Sequence, residues 1–205
     1  MSQVVTKKLL ETGYTYKSYR KMIDDLLERG KTTGPNHSPE MLEYTRLNVH
    51  RMNRMDNTVT ICDELKTELK SLNRKLIWMV IGEAWCGDVS MNLPVIAKIA
   101  EQSENIDLRI LIRDENPDIM NLYLTNGGKA IPVLVCFDAE TLEELGKWGP
   151  RPAPAQKLIK ELAANPEIPK AERTRQVMLW YSADNTRTIQ NEFLEFLKAW
   201  KANNS

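Results

Sequence analysis

Residues 76–89 read LIWMVIGEAWCGDV, and this stretch decides the fold. Its first six residues are apolar without a break and include β-branched side chains, which is typical of a central strand covered on both faces. Apolar residues then recur at helical spacing between residues 93 and 100. The sequence therefore predicts a buried strand, a short loop that contains Cys86, and a helix that begins close to this cysteine.

Further elements follow at the spacing of an α/β domain. We predict a strand at 106–112, a short helix at 117–124, strands at 131–137 and 141–148, and an amphipathic helix at 154–164. Turn-forming residues at 138–140 join the last two strands, which favours an antiparallel hairpin. The order between residues 75 and 165 is therefore β-α-β-α-β-β-α, an α/β class with a central mixed sheet of about four strands.

Helical segments flank this core. Residues 16–30 carry apolar side chains at helical spacing, and Ser38-Pro39 has the pattern of an N-cap followed by the first helical position. The C-terminal segment carries a strong apolar stripe with an interruption at Asp184-Asn185. We predict three parts: an N-terminal helical extension packed on the core (1–74), the core itself (75–165), and a C-terminal helical extension (166–205).

The composition disfavours several classes of function. Lysine plus arginine and aspartate plus glutamate both total 28, so no net charge attracts nucleic acid or an anionic membrane. The first residues lack the apolar region of a secretion signal, and no run approaches about 18 apolar residues. We therefore expect a cytoplasmic protein that binds neither nucleic acid nor a membrane.

The cysteines and histidines do not predict a metal site. Cys62, Cys86 and Cys136 are odd in number and widely spaced, which disfavours a disulfide scaffold. His37 and His50 lack metal-ligand spacing to each other and to any cysteine. We therefore expect reduced thiols, no metal and no bound cofactor.

Cys86 lies where the predicted first strand passes into a helix. The unpaired N–H groups and the dipole at this end of a helix favour an anion, and the thiolate is the form of cysteine that attacks disulfides. Asp88 acts in the opposite direction, because a carboxylate near a thiol raises the pKa of that thiol. At the level of sequence the balance between these effects stays open.

Three landmarks in order carry a resemblance to a known superfamily. They are residues 83–88 (EAWCGD), Pro94 eight residues beyond Cys86, and Ile131-Pro132 at the start of a later strand. In these the chain resembles the thioredoxin superfamily, which implies a thioredoxin-like three-layer fold. The resemblance also implies that Cys86 is catalytic and that a cis Pro132 lies against it. The implied substrate-binding residues are Trp85, Gly87, Asp88, Ile131 and Pro132.

More narrowly, four short motifs resemble those of an uncharacterised bacterial thioredoxin-like family. They are WCGD at 85–88, DEN at 114–116, NGG at 126–128 and WGPRP at 148–152. A strand that stops at two prolines is the simplest interpretation of the last motif. Its Arg151 could attract an anion such as a carboxylate of glutathione.

The chain departs from this superfamily at two positions. Val89 stands where dithiol thioredoxins have their resolving cysteine, and Val80 stands where they carry a buried aspartate that serves that cysteine. Cys136 is predicted to pack in the core and Cys62 to lie on a helix outside it, so neither is expected to resolve Cys86. A mixed disulfide at Cys86 would then need an external thiol, such as glutathione.

Two functions from different classes fit this pattern. The first is thiol–disulfide exchange through Cys86, with a disulfide-containing protein or a low-molecular-weight thiol as the partner. The second is a redox-inert thioredoxin-fold module that binds proteins. A peroxide-reacting cysteine is disfavoured, because Glu83 stands where peroxiredoxins have a threonine; we expect Glu83 to be solvated or salt-bridged rather than catalytic. The sequence leaves the oligomeric state open.

Overall fold

A four-stranded mixed sheet forms the centre of the protein. The computed structural model describes residues 5–202, so residues 1–4 and 203–205, the ends of the two predicted extensions, lie outside the described residues. The strands are β1 (Leu76–Gly82), β2 (Ile106–Ile112), β3 (Val133–Asp138) and β4 (Glu144–Trp148). Their order is β2-β1-β3-β4, with β2 parallel to β1 and with β3 antiparallel to both β1 and β4. The predicted mixed sheet and hairpin are confirmed.

Helices surround this sheet. In the described part of the chain they are α1 (Lys7–Thr12), α2 (Tyr16–Glu28), α3 (Pro39–Thr58), α4 (Asp63–Lys70), α5 (Gly87–Ala100), a 3-10 helix (Arg113–Glu115), α6 (Pro117–Leu122), α7 (Ala153–Ala164), α8 (Lys170–Asp184) and α9 (Arg187–Ala202). Helix α3 packs on α5, α4 on α9 and α7 on α8, while α2 lies against β2 and α9 against β4. None of the described helices is long and apolar enough to cross a membrane.

Local signals in the sequence set several of these helix ends. The Ser38 hydroxyl accepts a hydrogen bond from the Met41 N–H group at 3.4 Å, and Pro39 is the first residue of α3, as predicted. The predicted interruption at Asp184-Asn185 is also confirmed, because α8 ends at Asp184 and Asn185 adopts a left-handed conformation. The division into three parts stays a prediction.

Strands β3 and β4 begin later than the sequence predicts. β3 was expected from Ile131 but starts at Val133, because Pro132 has no N–H group to donate to the ladder. β4 was expected from residue 141 but starts at Glu144. The preceding turn is held by the Asp138 carboxylate, which accepts hydrogen bonds from the N–H groups of Glu140 and Thr141 at 2.9 and 2.7 Å.

An aromatic cluster joins the C-terminal helix to the sheet. Trp78 of β1 is completely buried, and its ring centroid lies 5.2 Å from that of Phe193 and 6.0 Å from that of Trp200. Phe193 also contacts Trp148 at the end of β4, with 5.5 Å between centroids. Helix α9 therefore covers the sheet, and its apolar stripe continues the core that β1 begins.

Asp138, at the turn between β3 and β4, forms a buried ion pair with Arg74. This pair gives a prediction on acid stability. Burial acts to raise the pKa of Asp138, but hydrogen bonds from Thr141, Arg74 and Glu140 outweigh it and lower this pKa to about 2. The Nε atom of Arg74 lies 2.6 Å from the carboxylate. Because the folded pKa is depressed, the resulting stability is present above the unfolded value of about 3.9 and is lost as the pH falls towards 2.

We therefore expect Asp138→Asn to lower the free energy of unfolding by about 2 kcal/mol at neutral pH. This deficit should shrink as the pH falls from about 4 to about 2, because wild-type Asp138 is then protonated as well. Urea unfolding at several pH values measures both quantities. Asp63→Asn is a suitable control, since the Asp63 side chain is 95% exposed and should show no comparable deficit.

Candidate functional site

Cys86 sits at the junction of β1 and α5, facing the segment that precedes β3. It occupies the N-cap position of α5, which begins at Gly87. Its thiol lies 3.5 Å from the carbonyl oxygen of Ile131, to which it can donate a hydrogen bond, and the Ile131-Pro132 peptide bond is cis. The side chain is half-buried. The fold thus brings together the cysteine and the proline that are 46 positions apart in the sequence.

The electrostatic surroundings of Cys86 hold its thiol in the neutral form. Burial raises the pKa of Cys86 most, and the charge of Asp88 raises it further. The N–H groups of Asp88 and Val89 point at the sulfur and lower the pKa, as does the charge of Arg151, but the net pKa is about 12. The stabilised thiolate expected from the helix N-terminus is therefore not the resting state, because burial and Asp88 outweigh the helix.

Asp88 is the centre of a buried polar network rather than an open acidic group. The Arg151 guanidinium pairs with both carboxylate oxygens, with Nε 2.9 Å from Oδ1 and Nη2 2.5 Å from Oδ2. The Tyr181 hydroxyl donates to Oδ1 at 3.0 Å and itself accepts a hydrogen bond from the Asn92 side chain at 2.8 Å. Helices α5 and α8 and the loop before α7 therefore meet at this carboxylate.

The WGPRP segment has more than the strand-ending role expected for it. Gly149 adopts a φ of +117°, and its α-carbon packs directly against the carbonyl group of Pro132. Two residues later, Arg151 turns back to reach Asp88. The segment therefore supports the proline and neutralises the carboxylate beside Cys86, and Arg151 is engaged by Asp88 rather than open to an anion.

Glu83 is placed differently from the expectation. It was predicted to be solvated or salt-bridged, but it is completely buried at the end of β1. Its Oε1 atom accepts the Asp114 N–H group at 2.9 Å, whereas Oε2 has no hydrogen-bond partner among the described residues. Burial raises the pKa of Glu83 to about 7, although the nearby Thr33 side chain and the Asp114 N–H group act in the opposite direction. Glu83 is buried rather than solvated because the loop at residues 32–34 covers its carboxyl group.

The other predicted substrate-binding residues differ in their exposure. Trp85 is half-exposed, and the Arg113 guanidinium lies over its ring at 4.8 Å from the centroid. Gly87 is also half-exposed, whereas Asp88, Ile131 and Pro132 are buried. A partner that reaches Cys86 would therefore meet Trp85 and Gly87 first, and Ile131 could contribute its backbone carbonyl group.

A groove of about 540 Å³ runs beside the proline. Among its lining residues are Tyr123, Thr125, Val133, Trp148, Gly149 and Arg151. Val133 directly follows Pro132, and Gly149 packs against the Pro132 carbonyl group, so the groove begins at the residue after the proline. Its walls combine apolar rings with polar side chains, which suits an extended peptide segment.

The remaining cysteines lie elsewhere in the fold. Cys136 is completely buried in β3, where it pairs across the ladder with Trp78, and burial raises the pKa of its thiol strongly. Cys62 is the N-cap of α4, and its N–H group donates to the Gln190 side chain at 2.8 Å. All three cysteines are free. Among the described residues, no group of three histidine, cysteine, aspartate or glutamate side chains could hold a metal ion.

The sheet order, the cysteine at the start of the helix after β1 and the proline before β3 together define a protein of the thioredoxin-like class. A family model described as Thioredoxin matches residues 34–164, which is more than half of the chain. The chain therefore belongs to this thioredoxin family. The match includes Cys86 and Pro132 and leaves out α1, α2, α8 and α9.

Solved structures of similar fold extend over the flanking helices as well. A protein of unknown function from Pseudomonas aeruginosa superposes with a TM-score of 0.59 at 16% identity, over 95% of this chain and 98% of that chain. An HIV epitope scaffold superposes with a TM-score of 0.55 at 18% identity, over 93% of this chain and 96% of that one. No curated protein matches the sequence. At these identities the likeness concerns the fold alone.

Proposed function

We propose that this protein is a single-cysteine thiol–disulfide exchange protein. The observation that carries the proposal is the placement of the Cys86 thiol, which lies at the N-terminus of α5 and 3.5 Å from the Ile131 carbonyl oxygen beside a cis-proline. An extended segment of a partner could pair with this backbone and present a disulfide to the sulfur. The substrate would then be a protein or peptide disulfide, bound in part by the adjacent groove.

The exchange takes place in two steps that balance without a further oxidant. The Cys86 thiolate attacks one sulfur of the partner disulfide, so that a new S–S bond forms, the old one breaks, and the other partner sulfur leaves as a thiolate that takes up a proton. An external thiolate then attacks the mixed disulfide, which regenerates Cys86 and carries the partner away as a new disulfide. Val89 and the distant positions of Cys62 and Cys136 make an external thiol, such as glutathione, necessary.

Replacing the cysteine tests this proposal. Wild-type protein incubated with oxidised glutathione or a disulfide-bonded peptide should gain the mass of a mixed disulfide at Cys86, and reduced glutathione should release it. Cys86→Ser should abolish this adduct, because a hydroxyl cannot take part in sulfur exchange. Intact-protein mass spectrometry followed by peptide mapping measures the reaction.

Cys62→Ser is the matched control, since Cys62 lies at the start of α4, away from the site, and this variant should form the adduct at the wild-type rate. An adduct that persists in Cys86→Ser would contradict the proposal. If wild-type Cys86 formed no mixed disulfide even above about pH 9, where more of the thiolate is present, the protein would instead be a redox-inert binding module.

A further inference from the structure

A second cavity, of about 110 Å³, lies between helices α3, α5 and α8 beside the cysteine loop. One water molecule needs only about 10–15 Å³, so the cavity has room for a small chemical group of a ligand. Buried Met55 and Val59 line it together with exposed polar residues, Arg54, Thr58, Ser182 and Asn185. The cavity is therefore open to solvent at a polar edge.

Arg51 and Met178 connect this cavity to the loop that holds Cys86. Both residues line the cavity. A Cβ atom placed on Gly87 would lie 3.4 Å from the Nη1 atom of Arg51 and 3.3 Å from the methyl carbon of Met178. The Arg51 guanidinium thus lies against the residue that directly follows the cysteine, and Gly87 is itself half-exposed.

The cavity carries positive charge that no carboxylate of its own lining balances. Arg51 and Arg54 supply this charge, and the described lining residues include no aspartate or glutamate. Arg51 donates from Nη1 to the Asn48 side chain at 2.9 Å, but neither arginine forms an ion pair within the described part of the chain. Asp88, whose charge acts on Arg51, is itself paired with Arg151. Guanidinium groups in this situation favour an anion, and their planar N–H donors match a carboxylate.

We propose that this cavity binds a carboxylate of the acidic low-molecular-weight thiol that resolves the Cys86 mixed disulfide. This inference rests on the proposed exchange function and deepens it, because it assigns the external thiol to one chemical class, anionic thiols such as glutathione. The terminal carboxylate of a tripeptide thiol can lie about 7 Å from its sulfur, since each extended residue spans about 3.5 Å. Neighbouring Cα atoms are about 3.8 Å apart, so a thiol held at Arg51 can extend past Gly87 to Cys86.

The cavity and the groove beside the proline belong to different parts of the fold. The groove is lined by residues of β3, β4, α7 and α9 and the adjoining loops, whereas the cavity is lined by α3, α5, α8 and the turn after α8. Among the described residues, the two share no lining residue. A protein partner held in the groove therefore leaves the cavity free for a thiol. This arrangement suits a resolving step, in which the partner is still attached when the thiol arrives.

The resolving step balances without a further reactant. The bound thiol loses its proton to solvent, and its sulfur attacks the partner's sulfur in the mixed disulfide. A new S–S bond then joins the thiol to the partner, the bond between Cys86 and the partner breaks, and Cys86 leaves as a thiolate that takes up a proton. The role of Arg51 and Arg54 is to bind and orient the thiol through its carboxylate.

Resolution rates with charged and esterified thiols test the inference. In the Cys62→Ser background, Cys86 is first converted to a neutral mixed disulfide with 2-mercaptoethanol, and its release by glutathione or by glutathione diethyl ester is followed by intact-protein mass spectrometry. Arg51→Gln should lower the second-order rate with glutathione by at least about tenfold, because a charge-assisted contact is lost. Arg54→Gln should lower it about threefold, since Arg54 is exposed. The rate with the diethyl ester, which has no carboxylate, should stay unchanged in both variants.

Arg46→Gln is the matched control. Arg46 is exposed on the same helix, α3, but does not line the cavity, so this variant removes the same charge and should change neither rate. A general disturbance of the cysteine loop would slow both thiols alike. Equal slowing with glutathione and with its diethyl ester would therefore overturn the inference, as would an unchanged glutathione rate in both cavity variants.

Binding of S-methylglutathione, which keeps both carboxylates but has no thiol, separates this inference from the proposed function. Calorimetric titration should show binding to the wild type and to Arg46→Gln, and at least about tenfold weaker binding to Arg51→Gln. If this pattern is found but wild-type Cys86 forms no mixed disulfide, the site for the acidic ligand stands and the exchange function is rejected. If Cys86 exchanges normally but the cavity binds only inorganic phosphate, or neither ligand, the inference alone is rejected.

Discussion

Gly149→Ala is expected to lower the free energy of unfolding by at least about 4 kcal/mol, or to prevent folding altogether. Gly149 adopts a φ of +117°, a conformation that residues with a Cβ atom rarely reach. A Cβ atom at this position would also overlap the backbone carbonyl oxygen of Pro132, which no rotamer change can relieve. Because whole domains are stable by only about 5–15 kcal/mol, the loss should be visible as a much lower urea midpoint.

Gly127→Ala supplies the matched comparison. Gly127 also has a positive φ, +77°, but a Cβ atom there would meet nothing within 4 Å. This variant should therefore lose only about 1 kcal/mol, the cost of the left-handed backbone alone. Equal losses in the two variants would contradict the close packing of Gly149 on Pro132, and with it the described position of the proline opposite Cys86.

Asp88→Asn is expected to make Cys86 at least about tenfold more reactive at pH 8. The charge of Asp88 is the second-largest cause, after burial, of the raised pKa of Cys86. The substitution removes this charge and leaves Arg151 without its partner, and the Arg151 charge lowers the same pKa. Both changes favour the thiolate. Alkylation of Cys86, followed by peptide mass spectrometry with Cys62 as the internal reference, measures the effect.

The same substitution should cost stability. It leaves a largely buried guanidinium unpaired, and breaking a buried pair in this way typically costs about 3–5 kcal/mol. Arg151→Met is the complementary variant, because it removes a positive charge that lowers the pKa of Cys86, and it should slow the alkylation of this thiol. Slower alkylation in Asp88→Asn, measured under folded conditions, would contradict the role given to this carboxylate.

The sequence indicates in which helix, strand or loop these residues lie, but it does not indicate which side chains surround them. Cys86 at the start of a helix follows from the change from a continuous apolar run to helical periodicity, and the N-terminal N–H groups do point at its sulfur. Whether the pKa of Cys86 is raised or lowered does not follow from this pattern, because it depends on the burial of the thiol and on the side to which Asp88 turns. No local pattern reports either quantity.

Glu83 shows the same limit. A glutamate after a strand is usually solvated, and the signal that contradicts this expectation lies about fifty residues upstream, in the loop at residues 32–34. The Arg151 to Asp88 pair spans 63 positions, and the Tyr181 to Asp88 contact spans 93. The sequence around Arg151 shows two prolines that end a strand, but nothing in it indicates that Arg151 pairs with Asp88.

The sequence by itself determined the order of the elements, the central position of β1, the hairpin, and the placement of one cysteine at a helix start upstream of an Ile-Pro pair. These features follow from the local periodicity of apolar residues and from proline and turn chemistry, which act over a few residues. Only the tertiary structure decided that Glu83 is buried and that Arg151 pairs with Asp88. Burial and charge pairing arise between segments distant in sequence, so they exist only once the helices and loops have packed around the sheet.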